Sequence, residues 1–262
     1  MDVNDDPTTW AEYNVAAATL GNQDDIAPFP PSELMQRVSG LTVPGDFAKH
    51  GRDMFLALDA ASGTHLKDFS SILDFGVGSG RLARMFKGFR GHYCGADIDH
   101  ELLDWVDGAL PWVKTLKTEP RRPIPVADGS FDSVISVSVF THMTEADSQF
   151  YLRELHRVTR PDAVLMLTVH GLRALERAAT EQCIFDMLSI PREGFEQAQR
   201  NMADPGFTFI LQQGHLTSEE YQYGISFTGA AFVNKEWGKF FTVERIVSGA
   251  IHNFQDIVVL RR

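Results

Sequence analysis

Several features that mark particular classes of protein are missing from this 262-residue chain. No apolar run is long enough to span a bilayer, so we expect no membrane-embedded segment. The only cysteines, Cys94 and Cys183, are far apart, which predicts neither a disulfide framework nor a zinc site. The first ten residues are acidic and polar, unlike a secretory or mitochondrial presequence, and this favours the cytoplasm.

Basic residues are also scarce. The 24 Lys and Arg are outnumbered by 35 Asp and Glu, which gives a formal net charge of −11. Nucleic acid is a dense polyanion whose binding requires clustered basic side chains, and the short cluster Arg121-Arg122 is too small. We therefore predict a small-molecule substrate and no nucleic-acid partner, while the oligomeric state stays open.

The middle of the chain alternates between strand-like and helix-like patterns. Such alternation predicts an α/β fold with a mostly parallel sheet covered by helices on both faces. Residues 1–69 are expected to form an N-terminal helical cover, with a frayed start over residues 1–9. The expected strands span 71–75, 92–98, 131–139 and 164–169, and the expected helices span 81–89, 101–110 and 145–159.

The alternation ends after His170. We interpret residues 70–262 as one domain that carries an inserted lid at about 171–235. Within and after the lid, the patterns predict a helix over 172–187, a helical stretch within 191–204, a strand over 207–212, a helix start at 217–220, and closing strands over 240–247 and 256–260.

A glycine loop follows the first strand of this region. Gly76, Gly78 and Gly80 permit a tight turn and a close backbone approach to a ligand, and the helix expected next would direct amide donors to a carboxylate or phosphate. The third glycine of a dinucleotide fingerprint would fall at position 81, which is Arg81, so a nicotinamide oxidoreductase is disfavoured. A purely structural turn is the alternative interpretation.

A carboxylate follows the loop by about 20 residues, at the end of the next expected strand. Asp97 at this position is suited to accept both hydroxyls of a ribose. The alternative is that Asp97 caps the following helix, but Asp99 is the better candidate for that cap.

The glycine spacing, with Asp74 in the preceding strand, resembles motif I of the class I (Rossmann-like) S-adenosylmethionine-dependent methyltransferases. Further stretches resemble that family over residues 70–170: the Gly-Ala-Asp-Ile run ending at Ile98, the run 124–135, the Val-Phe-Thr-His run ending at His142, and Arg157–Pro161. Asp162-Ala163 departs from the glycine pair that is usual after the proline.

The resemblance implies S-adenosylmethionine as cofactor and a seven-stranded sheet. It implies that Asp97 binds the ribose and that Ile98 packs on the adenine. We further predict that Arg37 pairs with the methionine carboxylate, the alternative being a solvated helix face. The full predicted cofactor site comprises Arg37, Asp74, Gly76, Gly78, Gly80, Arg81, Asp97, Ile98 and Ser138.

Two histidines are candidates for the chemistry. His142 follows the strand expected over 131–139 and His170 ends the strand over 164–169, and the carboxyl ends of parallel strands face the site in open α/β sheets. We predict both as catalytic residues, and Tyr221 and Tyr223 in the lid as substrate contacts. The alternatives are rim residues or helix caps for the histidines.

The sequence thus predicts methyl transfer to an oxygen or nitrogen of a small molecule, with natural products and sugars as candidates. A non-catalytic cofactor-binding or scaffold protein on the same fold is the alternative. An aminopropyltransferase is disfavoured because we find no strongly acidic polyamine motif.

Overall fold

The computed structural model describes residues 1–22, 24–204, 206–212 and 222–262. These residues form two compact units, the first made of 1–119 and 131–135, the second of 120–130 and 136–262. The boundary at 69/70, inferred from sequence, and the 171–235 insertion stay predictions. No helix among the described residues has both the length and the apolar character needed to cross a bilayer.

The first unit is built on parallel strands. Strand β1 pairs in parallel with β2 and β4, and β2 pairs in parallel with β3. Every residue of β1 is buried, as expected for a parallel strand covered on both faces. The strands are β1 (Ser71–Phe75), β2 (His92–Asp97), β3 (Val113–Lys117) and β4 (Phe131–Ser136).

Helices of the first unit include an ordered start of the chain. They are α1 (Pro7–Leu20), α2 (Ser32–Ser39), α3 (Pro44–Ser62) and α4 (His100–Ala109). The expected fraying of residues 1–9 is wrong. The Asp6 side chain caps α1 by accepting from the Thr9 amide at 2.8 Å, and Val3 is buried, with its amide donating to the Lys87 carbonyl at 3.2 Å.

The helix expected over 81–89 is wrong as well. The structure has only a short 3₁₀ turn, Ala83–Phe86, and all four of its residues are buried. An amphipathic helix would leave its opposite face in water. Here all four residues of the turn are buried, so the segment does not have the exposed face that the predicted helix requires. The left-handed Gly88, at φ 84°, follows after Lys87. The glycine loop is therefore not followed by an α-helix whose N-terminal amides could bind a ligand, as the sequence had predicted.

The second unit combines helices with antiparallel strands. Strand β9 pairs antiparallel with β5 and β8, and β6 pairs antiparallel with β7 in a separate two-stranded sheet. Its elements are α5 (Glu145–Val158), β5 (Thr159–Val169), α6 (Leu172–Thr180), α7 (Gln182–Leu188), α8 (Arg192–Asn201), β6 (Phe207–Leu211), β7 (Gly224–Thr228), α9 (Ala230–Glu236), β8 (Thr242–Ile251) and β9 (Gln255–Arg261).

The strand order of the larger sheet is β3-β2-β1-β4-β5-β9-β8. This confirms the prediction of an α/β, mostly parallel, seven-stranded sheet. The order reverses between β1 and β4, and ligands of such sheets bind at the carboxyl ends of the strands beside that reversal.

Other elements also differ from expectation. Strands β3 and β7 and helix α9 were not expected, and the helix expected over 172–187 is split into α6 and α7 at the extended residue Glu181 (φ −117°, ψ 103°). The helix start expected at 217–220 lies outside the described residues.

Candidate functional site

The glycine loop lies at the carboxyl end of β1 in a conformation that favours glycine. Gly76, Gly78 and Gly80 have φ values of 90°, 55° and 81°, in the left-handed region that L side chains rarely adopt. The amides of Gly76 and Val77 donate to the Ala96 carbonyl at 2.8 and 3.1 Å, which ties the loop to β2. The loop thus presents backbone rather than side chains at the point where the strand order reverses.

Asp97 ends β2 and is held against this loop. One carboxylate oxygen accepts from the Gly78 amide at 2.8 Å and the other accepts from the Asp99 amide at 3.0 Å. Burial raises the pKa of Asp97. A carboxylate has about four lone-pair sites, so capacity for two ribose hydroxyls remains. Asp99 caps α4 by accepting from the amides of Glu101 and Leu102, which confirms it as the cap.

Two further features of the loop fit a nucleoside cofactor. The Ser79 side chain is 2% exposed, and its hydroxyl oxygen has no hydrogen-bond partner among the described residues. Ile98, which follows Asp97, is 44% exposed and is therefore accessible to a ligand, while its packing on the adenine stays a prediction. Ser79 was not among the site residues predicted from sequence, because a serine between Gly78 and Gly80 carries no pattern that reports its burial.

Below the loop, Asp74 is buried within the first unit. The Tyr93 hydroxyl donates to its carboxylate at 2.7 Å. Burial raises the pKa of Asp74 to about 7, with a smaller contribution from the nearby Asp97. Burial also lowers the pKa of Arg81 to about 10, so the two side chains share a poorly solvated environment.

Helix α2 approaches the loop from its outer side. A Cβ atom placed on Gly78 would lie 3.1 Å from the Val38 side chain. The neighbouring Arg37 pairs with Asp99 at 3.1 Å and with Glu101 at 2.8 Å. Its guanidinium therefore stands next to the predicted ribose and adenine residues and is engaged by two carboxylates of α4. A contact of Arg37 with the methionine carboxylate stays a prediction.

Ser138 belongs to the second unit. It follows β4 with φ 60°, a strained value for serine. Its amide donates to the Thr168 hydroxyl at 2.8 Å, and the Gln255 side-chain amide donates to its hydroxyl at 2.8 Å. Backbone strain of this kind occurs at functional sites, but the role of Ser138 in cofactor binding stays a prediction.

Three of the four residues predicted for chemistry and substrate come together in the second unit. The rings of His142 and Tyr223 stack at 4.5 Å, and the rings of His142 and His170 lie 6.5 Å apart. The His142 Nδ1 atom lies 2.8 Å from the Gly224 carbonyl. Tyr221 lies outside the described residues.

The surroundings of His170 are apolar. The imidazole is buried, and it packs against the rings of Phe227 and Phe254 at 5.8 and 5.0 Å. Burial lowers the pKa of His170 to about 3, so it is neutral near pH 7. No group of three or more metal-binding side chains occurs among the residues described.

Comparisons with known proteins agree with this geometry. Residues 73–167 match the family model described as a methyltransferase domain. An uncharacterized methyltransferase of Oceanobacillus iheyensis is 21% identical over 160 residues, which is 60% of this chain and 70% of that protein.

Solved structures share the fold. A protein of Pyrococcus horikoshii aligns with a TM-score of 0.57 at 16% identity, covering 80% of this chain and 90% of that chain. The 1,6-didemethyltoxoflavin-N1-methyltransferase of Burkholderia thailandensis, solved with its substrate and S-adenosylhomocysteine, aligns with a TM-score of 0.53 at 12% identity, covering 97% and 87% of the two chains. Residues 73–167 thus match the methyltransferase-domain model, and the chain shares the α/β fold of these solved structures.

Proposed function

We propose that this protein transfers a methyl group from S-adenosylmethionine to an oxygen or nitrogen of a small molecule, with natural products and sugars as candidate acceptors. The observation that carries the proposal is the left-handed glycine loop with Asp97 bound to the Gly78 amide. The net charge of −11 favours a small molecule over nucleic acid. The Burkholderia neighbour, a 1,6-didemethyltoxoflavin-N1-methyltransferase, supports a small-molecule acceptor by analogy.

The first unit would hold the cofactor. Asp97 would accept the ribose hydroxyls, Ile98 would pack on the adenine, and the Ser79 hydroxyl would gain the partner that it lacks. The glycines would let backbone approach the ligand closely. When bound, the cofactor supplies an electrophilic methyl group on a sulfonium centre, so the chain contributes alignment and exclusion of water. His142, His170 and Tyr223 would contact the acceptor.

Calorimetric titration with S-adenosylmethionine and S-adenosylhomocysteine tests the cofactor class, with NAD as control. We expect micromolar binding of the first two and none of NAD. Failure of all three to bind would favour a scaffold role for the fold.

Asp97→Ala tests the ribose contact. We expect cofactor binding to weaken by roughly 1–3 kcal/mol, the scale for hydrogen bonds to a charged group. The same titration measures the loss. Unchanged affinity would remove Asp97 from the site.

Gly78→Val tests the close backbone approach. A branched side chain at φ 55° is strained and would meet Val38, so we expect binding to be lost while the fold is kept. Gly108→Ala in α4 is the matched control, because an added Cβ there meets nothing within 4 Å. Circular dichroism checks the fold of both variants, and retained binding by Gly78→Val contradicts the loop assignment.

A further inference from the structure

Arg84 is a buried cation of the first unit that the proposed cofactor site does not use. It belongs to the 3₁₀ turn Ala83–Phe86, and the residue is only 1% exposed. Burial lowers the pKa of its guanidinium to about 9, so the group still carries its charge near pH 7. A buried charge is costly unless an opposite charge compensates it, so the groups around this guanidinium decide what it can bind.

Residues 25–29, which we call the strap, cover the guanidinium. The Nη2 atom of Arg84 donates to the Ala27 carbonyl, and the centre of the Phe29 ring lies 3.9 Å from the guanidinium carbon. Phe29 in turn meets the ring of Phe47 in α3 at 6.4 Å. A carbonyl oxygen and an aromatic face both attract a cation, but neither carries a net charge. These contacts therefore hold the guanidinium in place without neutralising it.

No carboxylate in the described part of the chain pairs with Arg84, and burial alone accounts for its lowered pKa. The acid of the strap, Asp25, accepts instead from the Tyr13 hydroxyl at 2.9 Å. The Lys87 ammonium donates to the Asp25 carbonyl at 2.6 Å, which brings a second cation to the strap. The strap thus meets two positive side chains through neutral backbone oxygens.

Two guanidinium nitrogens are directed to no acceptor of the protein. Nε and Nη1 of Arg84 are buried and have no hydrogen-bond partner among the described residues. A guanidinium has donors only, so the group that satisfies them must be an acceptor. Water would accept a hydrogen bond but leave the charge unbalanced. A small anion does both, and carboxylates bind guanidinium groups especially well.

We propose that Arg84 and the strap form a binding site for one small monovalent anion, such as a carboxylate, in the first unit and outside the glycine loop. The guanidinium is directed towards the strap and, through Phe29, towards α3, whereas Gly78 of the loop faces Val38 of α2. Phe29 is half-buried, so an anion reaches the guanidinium by displacing one ring at the surface. The bound anion stabilises the strap in its place.

Urea unfolding of the full chain tests the site, with sodium formate exchanged for sodium sulfate at constant ionic strength. We expect formate to shift the wild-type equilibrium saturably towards the folded state, by about tenfold at roughly ten times its Kd. Arg84→Met, which keeps a long apolar side chain, should lose this effect. Arg90→Met, at an exposed position of the same unit, is the matched control and should keep it. A wild type that responds to formate no more than Arg84→Met would overturn the proposal.

NMR of the ¹⁵N-labelled arginine side chains keeps the test decisive if Arg84→Met does not fold. Arg84→Lys, which retains the charge, assigns the Nε–H signal of Arg84 by its loss. We expect this signal in the wild-type chain to shift saturably with formate and with chloride. A signal that responds to neither anion would overturn the proposal, because the buried donors would then be bound by water.

S-adenosylhomocysteine distinguishes a free anion from the carboxylate of the cofactor. We expect the formate response of the Arg84 signal to persist at saturating S-adenosylhomocysteine. Loss of that response would assign Arg84 to the cofactor carboxylate and overturn a separate site. The formate and chloride titrations need no cofactor, so they stand even if calorimetry rejects the proposed methyltransferase function.

Discussion

Two buried titratable side chains, Asp74 and His170, have pKa values shifted so that each favours its neutral form. Burial is the first cause in both, because a poorly solvated environment penalises charge. The shifts have opposite consequences for stability. One side chain is an acid with a raised pKa, and the other is a base with a lowered pKa.

Asp74 makes the folded state bind a proton that the unfolded state has lost. Its pKa rises from 3.8 to about 7 on folding, so its stabilising contribution is complete below about pH 4 and is lost as pH rises to 7. We expect Asp74→Asn, which keeps a partner for the Tyr93 hydroxyl, to remove that dependence. Urea unfolding at pH 5 and pH 7 measures the free energy of unfolding of the variant and of wild type. The change of that free energy with pH should differ between the two proteins by up to about 1.4 kcal/mol per pH unit. An equal pH dependence of the free energy of unfolding in the two proteins would contradict the raised pKa of Asp74.

His170 acts in the opposite direction. Its pKa falls from 6.5 to about 3 on folding, so its contribution is complete above about pH 6.5 and is lost as pH falls towards 3. We expect His170→Gln, which does not titrate, to lose less stability than wild type between pH 6.5 and pH 4.5. Chemical denaturation over that range measures the difference. If the stability of the two proteins depended on pH in the same way, His170 would be solvated rather than buried.

At the scale of elements, two kinds of interaction meet where α2 lies next to α4: the helix cap made by Asp99 and the ion pairs made by Arg37. Asp99→Ala removes the cap of α4 together with one of the two Arg37 ion pairs, and we expect the loss of the cap to cost about 1 kcal/mol. Arg37→Met removes only exposed ion pairs, which contribute little to stability, so we expect the smaller loss. Thermal unfolding in low and high salt distinguishes them, since only the ion-pair contribution is screened.

The Arg37 variant also decides the cofactor role predicted from sequence. If Arg37 holds the methionine carboxylate, Arg37→Met lowers the affinity for S-adenosylmethionine, which calorimetry measures. Unchanged affinity would leave Arg37 as a residue that joins α2 to α4.

What could be predicted from sequence is what local chemistry determines. The glycine spacing, the Asp97 position and the Asp99 cap depend on a few adjacent residues, and the three loop glycines have the positive φ values that suit a tight turn. The 3₁₀ turn at Ala83–Phe86 was not predictable, because burial on every side is a property of tertiary packing. Strand β3 was missed because only two of its five residues are apolar; its two lysines suit the edge of a sheet.

The acceptor side of the site was only partly predictable. Strand-end positions indicated His142 and His170, since parallel strands end at one edge of the sheet. The Gly224 carbonyl that lies 2.8 Å from His142 Nδ1 comes from β7, which is 82 residues away in the chain and pairs with β6 rather than the main sheet. No local pattern reports a contact at that separation. The same holds for the Gln255 contact to Ser138, 117 residues apart.

For the whole molecule, ligand binding is expected to appear as stability. A ligand that binds only the folded state at 100 times its Kd stabilises by about 2.7 kcal/mol, which for a chain of this length raises Tm by roughly 5–10 °C. The Asp97 and glycine-loop residues all belong to the first of the two compact units. If the units unfold in separate transitions, we therefore expect only the transition of the first unit to move. Scanning calorimetry with S-adenosylhomocysteine measures the shift. Asp97→Ala should reduce it at the same ligand concentration, and an equal shift with NAD would show that the loop does not discriminate between the cofactor classes.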